Sequence, residues 1–413
     1  MTQRIHVRAL PFALLGLLAP AISQATPTLY GAIFETVEVI ESRSATSPAD
    51  GGSGHTFGRT TRIGSHSSMF GIKGEEKLDQ DLSAFFQIES SLNANTGTGT
   101  LGGRNTGVGL KSTDWGSLVM GHWDSPMKLS SVRADPWRTN TIAGYNSLIS
   151  SPGFGIGKQR MGTGSPNDAT AAFDMRATNT IQYWSPTVAN FNARLMVTTS
   201  NKIKASTPNR TYDPYMWGFS LGYDNGPLWV SYAYEHRKDY FGINSMVKGV
   251  QTSFSSPTFT VGGDETGSSD HAHRFSMGYT IDGTTLGLVY ERLNYHNKGS
   301  TVVNAMNRYE RDAIYASLEQ KFAKVHRLRL AYGQTTRIRC SAVGGSCNSD
   351  NLGARMFAIG YAYDLSRRTQ LVAQYAQINN KSRAVYTFGD NTPPASGAGA
   401  TLRGISVGMS HRF

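Results

Sequence analysis

The chain has 413 residues, is 39% hydrophobic and 17% charged, and carries a formal net charge of +11. Two cysteines exclude a disulfide-dense extracellular scaffold. A mean hydropathy of −0.34, with no long apolar run after the first residues, excludes a bundle of spanning helices. Forty-five glycines, 19 tyrosines and 18 phenylalanines suit twisted strands with aromatic ends. The basic balance points to anionic partners. No compact basic cluster interleaved with stacking aromatics indicates nucleic acid.

At the start, Arg4, His6 and Arg8 precede an apolar run from Ala9 to Ile22, and Ser23-Gln24-Ala25 offers a small-residue cleavage site. Residues 1–25 read as a secretory signal peptide. Pro11 and Pro20 inside a short run argue against a spanning helix. The mature chain then begins near Thr26. Loss of two arginines lowers its charge from +11 to +9.

From there the pattern is period two, as in strands whose side chains alternate between faces. Ala84, Phe86 and Ile88 alternate with Phe85, Gln87 and Glu89. Ile314, Ala316, Leu318 and Phe322 alternate with Tyr315, Ser317, Glu319 and Lys321. Leu328, Leu330 and Tyr332 alternate with Arg327, Arg329, Ala331 and Gly333. Phe357, Ile359 and Tyr361 alternate with Ala358, Gly360 and Ala362. One face is apolar, and the other mixes charged and small residues, as a wet lumen would.

The connections alternate between short and long. The short ones are 75–81, 112–116, 185–191, 224–227, 282–283, 323–326 and 364–368, two of them with Asx-Gly pairs. The long ones are 42–55, 93–103, 124–175, 201–214, 239–270, 297–307, 339–352 and 381–400, rich in Gly, Ser, Asn and Thr. Fifteen connections join sixteen strands, an even number that suits closure. The expected fold is all-β: a sixteen-stranded antiparallel transmembrane β-barrel with long extracellular loops and short periplasmic turns. The single barrel spans residues 26–413.

Cys340 and Cys347 fall within one long connection, and an oxidising compartment favours a disulfide between them over a metal pair. His271 and His273 share a strand face, but no third metal ligand is evident. Gly97-x-Gly99-x-x-Gly102 matches a dinucleotide fingerprint without the helix it needs. No Gly-x-Ser-x-Gly elbow occurs. Neither a cofactor nor enzymatic activity is expected. A surface adhesin built on long loops is the remaining rival.

Several segments, taken in order, resemble trimeric porins of the β-proteobacterial type. They are Thr28-Leu29-Tyr30-Gly31; Ser68 to Glu76 followed by Ala84 to Ser90; Trp115-Gly116 leading to Met120-Gly121-His122; Arg176 with Asn179, Tyr183, Ser185 and Pro186; Leu365 to Thr369; and Val407 to Phe413. The resemblance covers nearly the whole mature chain. It implies a homotrimer in the outer membrane, contact with lipopolysaccharide, passive passage of ions and small hydrophilic solutes, and a third long loop (about 124–175) folded into the lumen. It also implies that the strand ending at Phe413 is read by the assembly machinery.

The resemblance places the constriction at Asp124, Lys128, Arg133, Asp135, Arg138 and Arg160 of that loop, facing a basic ladder on the barrel wall. Three typical ladder arginines match Met69, His122 and Arg176, so only Arg176 keeps the charge, with Lys73 adding one on the face of Met69. A mild anion preference is expected. Met69 and His122 point alternatively to a channel specific for a less charged or aromatic solute. His122 brings a group that titrates near neutrality.

Overall fold

The structure is a computed structural model and describes residues 27–413 apart from 138–139, 158–160, 162–167, 200–204, 208–209, 253–258, 261 and 390–393. The expected signal segment, 1–25, lies outside the described residues. Sixteen barrel strands run through the described chain. They are β1 (Thr28–Arg43), β2 in two pieces (Thr60–Ser65 and Met69–Lys77), β3 (Leu82–Asn93), β4 (Thr106–Ser112), β5 (Gly116–Asp124), β6 (Arg176–Trp184), β7 (Phe191–Thr198) and β8 (Tyr215–Asn225). The second half comprises β9 (Leu228–Lys238), β10 (Gly267–Ile281), β11 (Thr284–Lys298), β12 (Met306–Phe322), β13 (His326–Ala342), β14 (Ala354–Asp364), β15 (Thr369–Asn380) and β16 (Thr401–Arg412).

Each strand pairs antiparallel with the next, and β16 returns to β1, with Ala32 opposite Arg412 and Arg43 opposite Thr401. Gly31 and Phe413 exchange backbone hydrogen bonds of 3.0 and 3.1 Å at this seam. Closure leaves no unpaired edge for hydrocarbon to meet. The period-two pattern then sorts the side chains. Leu328, Tyr332, Phe357, Ile359, Val407 and Met409 are exposed on the outside, whereas Arg329, Ala331, Ala358 and Ser406 are buried inside. The tight β10–β11 turn uses Asp282 and Gly283, both at positive φ (46° and 82°), a conformation glycine adopts without a steric penalty.

Three local features exceed the sequence pattern. First, β2 breaks at 66–68, where Ser68 Oγ accepts from Phe34 N at 2.9 Å. Second, the connection from β9 to β10 contains a helix, α2 (Gly242–Thr252), whose Ile243, Met246 and Val247 join Leu293, Tyr295 and Tyr309 in a buried cluster. Third, a small hairpin (Ala205–Thr207 with Arg210–Tyr212) stands in the β7–β8 loop. Cys340 and Cys347 are bonded across the β13–β14 loop, with Cα atoms 5.6 Å apart.

Candidate functional site: the lumen and its third loop

The segment between β5 and β6 runs inside the barrel. It starts at a short helix, α1 (Pro126–Leu129). Ser125 caps this helix by accepting from Lys128 N at 3.2 Å, and proline opens its first turn. Beyond it, Ala134, Trp137, Ile142, Tyr145, Leu148 and Ile149 are buried against Val289, Ala313, Tyr315, Ala331, Ala358, Ala376 and Leu402. Those partners come from the inner faces of β11–β16. The alanines among them, and the glycines beside them, are explained by what covers them. A Cβ at Gly360 would lie 2.5 Å from Trp137, one at Gly404 2.9 Å from Ile142, and one at Gly287 2.9 Å from the Ala134 carbonyl. The small inward residues of these strands, expected to line water, instead seat a dry loop. Each large apolar side chain buried there contributes about 1.5–3 kcal/mol.

A loop in a dry seat must satisfy its backbone polar groups, and three fully buried arginines serve that need. Arg237 donates to Ala172 O at 2.7 Å, and Arg311 donates to Leu148 O at 2.8 Å and to Ser151 O. Arg274 reaches Met127 O at 3.0 Å, Ser131 Oγ at 2.9 Å, Ser150 Oγ at 2.6 Å and Asp174 Oδ1 at 2.6 Å. Glu291 joins Arg274 at 2.9 Å to Arg311 at 3.0 Å and accepts from Ser150 N at 2.7 Å. Tyr295 donates to Ala171 O at 2.6 Å and Tyr309 to Pro152 O at 2.9 Å. From the other side His66, turned inward at the break in β2, contacts Asn140 O at 2.7 Å and Glu38 at 3.0 Å. Tyr145 donates to Asp174 at 2.6 Å; burial and that carboxylate push its hydroxyl well above its usual range, so it remains a donor.

The loop rests on the β9–β16 half and also touches Ile40 of β1 and His66 and Ser67 at the break in β2, so the wall it leaves more open, the free wall, runs from the second piece of β2 to β7. Lys73 and Met69 stand on its inner side, opposite in parity to the exposed Ile72, and the Lys73 ammonium lies 5.3 Å from the Tyr30 ring centre. Arg176 bonds Asn105 Oδ1 and Asp124 Oδ1, both at 3.0 Å, and Lys128 meets the same Asp124 oxygen at 2.7 Å. Glu89 pairs with Arg104 and accepts from the Tyr30 hydroxyl at 3.2 Å. Asp124, Lys128 and Arg176 thus form one cluster with Glu89 and Arg104 within electrostatic reach, while Lys73 stands apart over Tyr30.

His122 pairs with Thr106 next to the register shift at Gly121, and the charges that reach it are those of Arg176, Asp124 and Lys128. That shift accompanies the inward turn of Trp123, which packs 5.4 Å from Trp184. The other expected residues stand elsewhere. Arg133 is half exposed, pairs with Asp224 of the β8–β9 turn and lies over Trp229. Asp135 is buried within the loop's seat, accepting from Trp137 N at 3.1 Å and from the Tyr315 hydroxyl at 3.3 Å. Arg138 and Arg160 lie outside the described residues. Sequence reasoning missed Arg237, Arg274 and Arg311. Their only signal was inward parity, which a wet ladder arginine shares.

A closed barrel with charged groups lining a loop-narrowed lumen defines a membrane channel. Residues 12–383 match the model of the Gram-negative porin family, and the chain belongs to that family. It is 25% identical to an outer membrane porin protein of Bordetella pertussis over 97% of both chains. It is 24% identical to the major outer membrane protein P.IB of Neisseria gonorrhoeae over 85% of this chain and 87% of that one. Its fold matches the anion-selective porin from Comamonas acidovorans with a TM-score of 0.70 and 18% identity, covering 94% of this chain and 100% of that one. The protein is an outer-membrane porin that forms a channel for small solutes.

Proposed function

We propose that this channel passes small anions in preference to cations. The observation that supports it is an imbalance on the free wall. Both acids of the cluster are occupied: Glu89 by Arg104, and Asp124 by Lys128 and Arg176. Lys73 and Arg194 lie instead over the rings of Tyr30 and Trp184, and among the described residues neither pairs with a carboxylate. Low-dielectric walls concentrate the field of such a surplus in the lumen. Zero-current potentials across a KCl gradient are expected to show chloride more permeant than potassium; a potassium preference overturns the reading.

The working unit on this reading is a homotrimer packed through the β1–β2 side. Glu35 lies on the outward face between the exposed Ile33 and Val37. One of its oxygens is held by Ser65 at 2.5 Å and Ser68 at 3.2 Å, and the other is buried without a hydrogen-bond partner. A carboxyl group facing hydrocarbon is costly, and a neighbouring protomer on that face removes the cost. Sedimentation in mild detergent is expected to give a trimer, with Glu35→Leu altering its dissociation temperature. A monomer at all concentrations rejects the assembly.

A further inference from the structure

Beyond the Asp124 cluster, the free wall carries an aromatic surface that ion conduction does not require. Phe85 has inward parity, opposite to the outward Ile88, and lies flat across β4, where a Cβ at Gly109 would fall 2.6 Å from its ring. Its centroid is 6.4 Å from that of Trp184, which in turn covers Trp123. Trp184 pairs with Ser117 and Arg194 in the strand register, so all three share the lumenal side, while Leu118 and Leu195 are exposed outside. Phe85 and Trp184 keep part of their surface open, whereas Trp123 is buried beneath. The Arg194 guanidinium sits 5.1 Å from the Trp184 ring centre and forms no ion pair with a carboxylate among the described residues, with Asp124 the carboxylate whose charge reaches it.

Large apolar rings gain nothing by facing water in a lumen. A hydrated inorganic anion takes no benefit from them either. A planar organic acid does: its ring stacks on Phe85 and Trp184, while its carboxylate meets a guanidinium held in place by the same indole. The glycine at 109 leaves room above β4 for the Phe85 ring to lie flat. Position adds to the fit. Trp184 and Arg194 lie next to the short β6–β7 turn, whereas Arg176 and Arg104 lie in or beside the Asp124 cluster. A carboxylate that clears the first pair of arginines meets Arg194 next, on its way to the periplasmic mouth.

We propose that Phe85, Trp184 and Arg194 form a binding step for small aromatic carboxylates. This rests on the anion-preferring reading and assigns it a class of organic solute. The test uses the full-length protein in planar bilayers carrying KCl current, titrated with benzoate and, separately, with cyclohexanecarboxylate, which has the same charge and similar size without the π face. Benzoate is expected to reduce the current saturably, with a half-effect concentration about fivefold lower than that of its saturated counterpart, as one stacking contact provides. In Trp184→Ala that ratio falls to about one, and Trp184→Phe restores most of it. Arg194→Gln weakens both acids together, since it removes the charge contact and not the ring contact. Heat-modifiable mobility in detergent establishes that each variant is a folded barrel.

Equal potency of the two acids on the wild-type channel overturns the proposal, as does an unchanged ratio in Trp184→Ala. Zero-current potentials recorded on the same membranes separate the two readings. Chloride preference without benzoate discrimination rejects the aromatic step alone. Potassium preference with discrimination intact rejects the anion reading alone.

Discussion

Replacing Arg274 with methionine is expected to unseat the third loop and raise single-channel conductance, while the barrel stays closed. The side chain is wholly buried and holds four groups of the loop, at Met127, Ser131, Ser150 and Asp174, as well as Glu291 on the wall. Methionine fills similar space but removes the hydrogen bonds donated to these five groups and the cation between two carboxylates, leaving Asp174 only Tyr145 and Glu291 only Ser150 N and Arg311. Breaking a buried ion pair from one side costs about 3–5 kcal/mol. The strand ladder does not pass through Arg274's side chain, so the loss falls on the loop and not on the cylinder. The expected record is a larger, noisier current from a species that still resists dissociation in detergent. Arg274→Lys keeps the charge without the planar fork and is expected to fall between the two. A methionine variant with wild-type conductance and noise would show that the apolar seat alone holds the loop.

The second large effect is expected from Asp124→Asn. Asp124 is the shared acceptor of Lys128, on the third loop, and Arg176, on β6. Neutralising it adds one uncompensated positive charge there. At a separation of about 8 Å and an effective dielectric of about 40, one unit charge alters an ion's energy by roughly 1 kcal/mol, or about fivefold in permeability ratio. The anion preference should therefore steepen by about that factor in dilute salt and shrink in concentrated salt, because the screening length falls from about 10 Å at 0.1 M to about 3 Å at 1 M. Asp224→Asn, at the half-exposed partner of Arg133, changes the same formal charge outside the Asp124–Lys128–Arg176 cluster. It is expected to leave selectivity as it was. Equal shifts from the two variants would mean that net charge, not place, sets the preference.

The barrel was legible because its physics is local. Alternation on segments such as Leu328 to Gly333 declares two faces, and fifteen connections of two kinds count the strands. The interior was legible only where residues meet few partners. Lys73 and Arg176 are singled out by resemblance, and both stand on the inner side of the wall. Arg274 has the same parity and the same residue type, yet it ends in a dry seat, because what covers it comes from a loop between 100 and 150 residues upstream. Ala331, Ala358 and Gly360 misled for the same reason. A small inward residue suits water or a packed ring equally well, and only Trp137 decides between them. His122 matches a ladder arginine by resemblance alone; a register shift lies beside it, and the neighbouring Trp123 is the side chain that packs inward on Trp184.

The loop's seat also dictates an order of assembly. Arg311 lies 163 residues beyond the carbonyl of Leu148, Tyr315 lies 180 beyond Asp135, and the Gly389 amide lies 242 beyond Ser147. None of these partners exists as a surface until β11–β16 have formed and curved round to β1. Docking therefore belongs to the end of folding, after the wall has closed, and such long-range contacts are slow to gather. A newly inserted barrel is thus expected to pass through a stage in which it is sealed against lipid but still wide open to solutes, its permeability barrier maturing after its stability.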